Sequence, residues 1–244
     1  MRKVFLSLIL IFCSFFSYLS YSSDFEYTLF EIESVPSDDL VESQEDTFTT
    51  DEDLNRQKIG KIAGDYFAMK EINSETVGWL NIPNICYYPV MYSGDQKYLH
   101  TDIYGDYLYS GTLFMGKNSL GSFDNMALIY GHHMKDGTMF AGLTQYKNEY
   151  FFNNNDLIEL FDGKYLYKYK VYTVFNIVDG EEFIEQNPLQ DRADYFESLY
   201  NRSLVKGTAP DFDANMLFFQ TCDYLGYDNC RLIVGSYLIE KIEY

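Results

Sequence analysis

The stretch NMLFFQTCDYLGYDNCRLIVGSYLIEKI, residues Asn215 to Ile242, decides the fold. Two runs rich in aromatic and β-branched residues, NMLFFQTC and CRLIVGSYLIEKI, flank the polar turn DYLGYDN. Such a pair reads as two antiparallel strands with a tight connection. Cys222 then ends one strand, and Arg231, nine residues on, opens the other. Antiparallel pairing brings that thiol and that guanidinium side by side.

Working back along the chain, short β-rich runs recur between turn residues. TVGWLNIPNICYYPVMY is broken at Pro83 and Asn84, and SGTLFMG and NMALIYGHH are each bounded by Gly, Asn or Asp. LIELFDGKYLYKYKVYTVFNIV reads as a hairpin turning at Asp162-Gly163, with Lys168 and Lys170 on one face. Three segments have helical character. Ile59, Ile62, Ala63, Tyr66 and Phe67 share one face of a helix before the first strand, TMFAGLTQYKN is a short helix, and LQDRADYFESLYNRSL carries the stripe Leu189, Ala193, Phe196, Leu199, Tyr200 and Leu204. Many short strands with a few inserted helices predict a mainly β protein built as a closed or nearly closed barrel.

The chain has 244 residues, 24 Tyr, 20 Phe and a formal charge of −19. That balance argues against nucleic acid or an anionic membrane surface as partner, since both are polyanions. Between Asp24 and Asp53 there are twelve acidic residues and no Lys or Arg, which marks a solvated spacer. Before it, MRKVFLSLILIFCSFFSYLSYSS places two cations ahead of an apolar run. This is an export segment. It reads as an uncleaved anchor with the body outside the membrane, a cleaved signal peptide being the alternative. The expected organisation is thus residues 1–23 as anchor, 24–53 as spacer and 54–244 as the folded domain, at the outer face of the cell membrane.

Outside the anchor, which holds Cys13, the cysteines are Cys86, Cys222 and Cys230, an odd number that leaves at least one thiol unpaired. A Cys86–Cys230 disulfide remains open. Two of the three histidines, His132 and His133, stand at the mouth of a strand, and an imidazolium near Cys222 would promote the thiolate. The plain alternative is two loop histidines beside a core cysteine. Arg231 is suited to stabilising a thiolate or an oxyanion, or else it is a surface arginine paired with Asp228 or Asp223. No C-x-x-C pair occurs, so neither a zinc site nor any other metal is expected. No phosphate loop or dinucleotide fingerprint appears, and no cofactor is expected.

Taken in order, TVGWLNIPN, YYPVMY, GTLFM, ALIYGHHMKDGTMFAGL and FFQTCDY…CRLIVGSYL resemble the class B sortases, cysteine transpeptidases of Gram-positive cell surfaces. The resemblance spans about Asn73 to Leu238. It implies a closed barrel of about eight strands with an N-terminal helix and a helix inserted before the cysteine strand. It also implies Cys222 as nucleophile, His132 as proton donor and acceptor with His133 a variable neighbour, Arg231 as stabiliser of substrate and oxyanion, and Thr221 as a substrate contact. The implied partners are exported proteins with a C-terminal sorting motif and an amine of the peptidoglycan precursor. A pilin polymerase, a hydrolase or a non-catalytic module on the same barrel are the alternatives. Sortases usually read Thr-Leu-x-Thr-Cys, whereas Phe218 and Phe219 stand in the first two places here.

Overall fold

The computed structural model describes residues 51–178, 192–224 and 230–244. They fall within one unit, Phe48–Tyr244; the unit Met1–Thr47, with the export segment and most of the acidic spacer, lies outside the described residues. No helix among the described residues is long and apolar enough to cross a membrane.

Nine strands form one sheet: β1 Thr76–Ile82, β2 Cys86–Met91, β3 Leu113–Met115, β4 Met126–Tyr130, β5 Leu157–Phe161, β6 Tyr165–Val178, β7 Val205–Lys206, β8 Met216–Asp223 and β9 Cys230–Glu243. Their order is β5-β1-β2-β3-β4-β8-β9-β6-β7, and β5 also pairs with β6. That last pairing closes a barrel of eight strands and leaves β7 outside it. Among the described residues three α-helices accompany the sheet, α1 Asp51–Ile72, α2 Glu149–Asn154 and α3 Arg192–Asn201, and TMFAGLTQYKN yields a 3-10 helix over Ala141–Lys147.

The turns follow from local chemistry. Pro83 stops β1, and Asn84 takes a left-handed φ of 64° before β2 begins. In the β5–β6 hairpin Gly163 has φ 97°, and Asp162 Oδ1 accepts hydrogen bonds from the amides of Lys164 (2.8 Å) and Tyr165 (2.7 Å).

Both faces of β8 are buried along its first half, which is why MLFF, Met216 to Phe219, is continuously apolar rather than alternating. Leu217 and Phe219 point into the barrel with Leu113, Ile129, Leu232 and Val234. Met216 and Phe218 point outward into a second cluster with Leu128, Ile233 and the α3 residues Phe196 and Leu199. Phe218 stacks on Phe196 at 5.7 Å, and Phe219 meets Phe140 edge-on at 5.8 Å. The two phenylalanines that depart from the sortase pattern are therefore packing residues of opposite faces.

Helix α1 begins at Asp51, inside the expected spacer 24–53 and eight residues before Ile59, where its apolar periodicity starts. It lays Ile62, Ala63 and Tyr66 on Trp79, Phe161 and Leu166. Lys58 and Asn81 both bond the buried Glu159 carboxylate at 2.8 Å and tie the helix to the barrel. Helix α3 is shorter than its predicted stripe. Ala193 and Leu204 are exposed, and Leu189 lies outside the described residues.

Candidate active site

The strands β4, β8 and β9 are neighbours in the sheet. Parallel β4 and β8 run in register from Met126 opposite Met216 to Tyr130 opposite Gln220. His132, two residues past Tyr130, is level with Cys222 by that same offset. On the other side Cys222 is the direct antiparallel partner of Arg231. Side chains two apart share a face, so Tyr130, His132, Gln220, Cys222 and Arg231 all stand on the outer face of the barrel. Helix α3 covers this face at Phe218, and the open part beyond it is a cleft of about 460 Å³ lined by Cys222, His132, Arg231, Gln220 and Tyr130 among others.

Gly131 is needed where Tyr-Gly-His leaves the strand. A Cβ there would come within 2.5 Å of Leu113 and 2.6 Å of Phe140, so only glycine lets the chain pass. Beyond it, the loop between β2 and β3 holds the His132 ring. His132 Nε2 donates to the Leu99 carbonyl at 2.9 Å, His100 stacks on the ring at 5.2 Å, and Tyr109 stacks nearly parallel at 6.1 Å. His100 Nδ1 and the Tyr109 carbonyl are 3.2 Å apart, which ties the loop to itself. With Nε2 protonated toward Leu99, Nδ1 is the nitrogen left for proton exchange.

His133 turns a different way from its neighbour, as adjacent residues of an extended segment must. Its Nδ1 donates to the carbonyl of Cys222 at 2.9 Å, and its ring meets Tyr224 at 5.0 Å. Tyr224 is exposed, yet local burial and the adjacent Cys222 thiol raise its hydroxyl above the ordinary range, with Arg231 pulling the other way.

The opposite face of the strand end is charged and closed. Asp223 is 2% exposed. Its carboxylate pairs with Lys147 of the 3-10 helix and accepts from Asn176 Nδ2 at 2.8 Å, while the same amide lies 3.1 Å from Cys230 Sγ. An ion pair so buried is costly unless both partners stay in place.

Cys222, His132 and Arg231 are thus brought together. Thr221 borders the cleft, but alternation turns its side chain to the interior, and its buried hydroxyl has no hydrogen-bond partner among the described residues. The open disulfide is absent, since Cys86, Cys222 and Cys230 are all free thiols. Burial pushes the Cys86 thiol up to about 12, whereas Cys222 is half-buried on the cleft. Nothing in the sequence pointed to His100, Tyr109 or the Leu99 carbonyl. The one available signal was that His100 is the only histidine of the chain besides His132 and His133.

The Sortase domain family matches residues 80–239, about two thirds of the chain. The chain belongs to the sortase family. It is similar to sortase B of Listeria monocytogenes, 27% identical over 75% of this chain and 77% of that protein, and to sortase B of Staphylococcus aureus, 29% identical over 72% and 74%. The crystal structure of Clostridium perfringens sortase B superposes with a TM-score of 0.64 at 27% identity, covering 71% of this chain and 99% of that one. These likenesses make it a class B sortase, a cysteine transpeptidase.

Proposed function

We propose that the chain cleaves a C-terminal sorting motif of exported proteins and transfers the new carboxyl end to an amine of the cell wall. The observation that carries this reading is that Cys222 and Arg231 pair directly on β8 and β9 while His132, two residues past the end of β4, lines the same cleft. The Cys222 thiolate attacks the scissile carbonyl, and the electron pair of the C=O moves onto oxygen. Arg231 holds that oxyanion, its fork of N–H donors lying beside the thiol. Collapse expels the leaving amine, which takes its proton from His132, and a thioester on Cys222 remains. The acceptor amine gives a proton to His132 as it attacks, and the thiolate is released. Thr221, at the cleft border, contributes its main chain to the floor against which the peptide lies.

The N-terminal run MRKVFLSLILIFCSFF serves as membrane anchor in this reading, and the acidic stretch from Asp24 up to the start of α1 at Asp51 as a solvated tether. Together they keep the cleft at the outer face of the cell membrane, where exported proteins and peptidoglycan precursors pass. Incubating the full-length protein with a panel of sorting peptides, with and without an added amine, tests the proposal by mass spectrometry. A thioester adduct on Cys222 and an amine-dependent transfer product are expected. Cleavage that persists in Cys222→Ala would overturn the reading, and a product that is always the free acid would make the enzyme a hydrolase.

A further inference from the structure

We propose that His133 is a positioning residue for the nucleophile: its side chain extends the β4–β8 ladder past the end of β4 and pins the main chain at Cys222. The inference rests on Cys222 being the nucleophile, as argued above.

The ladder itself shows the gap that His133 fills. Gly131 N donates to Gln220 O at 3.1 Å, the last backbone bond from this segment to β8 among the described residues. In a parallel pair, acceptors on one edge of a strand recur every second residue. The next acceptor on this edge of β8 is the carbonyl of Cys222. By then the chain beyond β4 has turned away. The His132 carbonyl accepts from Phe140 N at 2.9 Å, and His133 forms an isolated antiparallel bridge with Met139. The His132 carbonyl is therefore committed to Phe140, and the Cys222 carbonyl takes its bond from the His133 imidazole, at 2.9 Å.

The consequence for the site is geometric. Cys222 and Asp223 are the last residues of β8, with β9 alone as backbone partner. On the β4 side His133 holds the strand end at two points, the carbonyl of Cys222 and the ring of Tyr224. A carbonyl only accepts, so Nδ1 of His133 carries a proton whether the ring is neutral or charged. The clamp therefore works in either protonation state and adds no ionisation of its own to the reaction. This separates it from His132, whose proton moves. Displacement of reacting groups by about 1 Å costs on the order of 10²-fold in rate, so a loosened Cys222 should show in turnover more than in substrate binding.

The test uses the geometry of amide side chains, in the full-length protein. The amide nitrogen of Asn is attached to Cγ, as Nδ1 of His is, so His133→Asn can present a donor in the same place; the amide nitrogen of Gln is one atom further out. Steady-state kinetics with a cleavable sorting peptide, the single-turnover rate of thioester formation and the pH–rate profile would be measured for His133→Asn, His133→Gln and His133→Ala. Expected is a His133→Asn enzyme within about threefold of wild type. His133→Gln and His133→Ala should lose about tenfold or more in kcat and thioester formation, with KM nearly unchanged and the pH profile unmoved. A His133→Asn enzyme as impaired as His133→Gln overturns the proposal, and so does wild-type turnover in all three. Loss of one limb of the pH profile in His133→Asn would make His133 a proton carrier and overturn it too. Should His133→Ala not fold, the Asn and Gln pair still decides. Cys222→Ala in parallel keeps the two questions apart: a cleaving Cys222→Ala sinks the nucleophile assignment, whereas a dead one with an unordered His133 series sinks only the clamp.

Discussion

Cys222 and Arg231 stand directly opposite one another on antiparallel β8 and β9. Their Cβ atoms are held about 4.5–5.5 Å apart by that pairing alone. The guanidinium offers two parallel donors in a fixed plane, whereas an ammonium is a point charge on a flexible stem. Arg231→Lys should keep the charge and still lose about 10²-fold in turnover, as expected for removing an oxyanion donor. If Arg231 served only to favour the thiolate, Lys would largely replace it. Turnover together with the pH dependence of Cys222 alkylation in Arg231→Lys and Arg231→Ala distinguishes the two roles, and near-normal turnover in Arg231→Ala would exclude both.

The loop that carries Leu99, His100 and Tyr109 should matter to rate rather than to folding. Tyr109 is 66% exposed and His100 is exposed too, so truncating either removes little buried surface. Both rings nevertheless stack on His132. His132→Ala should abolish turnover. His100→Ala and Tyr109→Ala are expected to lower kcat by roughly 3- to 10-fold through a less restrained imidazole, with melting temperature unchanged. A falling melting temperature with unchanged kcat would show that the stack serves stability alone.

Much of this site was legible beforehand, and the reason is local. Cys222 and Arg231 meet because their strands pair antiparallel with only eight residues between the two, and Tyr-Gly-His was picked out by the sortase resemblance, its Gly131 being needed where the chain passes Leu113 and Phe140. The barrel was likewise readable from the many short strands between turn residues, and the helix before the cysteine strand from its apolar stripe and the sortase resemblance. What escaped depends on contacts with no periodic trace. Leu99 reaches His132 across 33 residues, and Lys147 reaches Asp223 across 76. Helix α3 came out narrower than its stripe because the helix ends at Asn201, so Leu204 is carried out of register and left exposed.

The three described thiols should differ sharply in reactivity. At pH 8 a small alkylating reagent, followed by peptide mapping, should label Cys222 and leave Cys86 and Cys230 intact, since both are buried. The same burial has a consequence for stability. The Cys86 thiol keeps its proton up to about pH 12 in the fold, while in the unfolded chain it loses it near its ordinary value of 9.0. Between those values the native state binds more protons than the unfolded one, so stability falls as pH rises. The contribution is present below about pH 9 and is lost at up to about 1.4 kcal/mol per pH unit above it. Buried Tyr146 and Tyr169, whose hydroxyls are also raised by burial, act in the same direction from about pH 10 upward. A melting temperature that declines above pH 9, and declines less steeply in Cys86→Ala, is the expected result; identical slopes would remove Cys86 from the account.

Phe218, which stands where sortases usually carry threonine, is coupled to a glycine on the next strand. Gly235 is its direct partner in the β8–β9 register. A Cβ at Gly235 would lie 2.6 Å from Phe218 Cε1 and 2.6 Å from Thr173 Cγ2. The phenyl ring has no easy retreat, because its other face stacks on Phe196 of α3 at 5.7 Å and 16°. Gly235→Ala should therefore destabilise the protein by about 1–3 kcal/mol, the usual cost of overpacking. Phe218→Thr is destabilising in its own right, through the cavity it opens beneath α3. In that background, however, Gly235→Ala meets only Thr173, and its cost should shrink. Urea denaturation of the two single variants and the double variant gives the coupling directly. Favourable coupling of about 1 kcal/mol or more is expected, and additive effects would mean that the ring and the glycine do not shape one another.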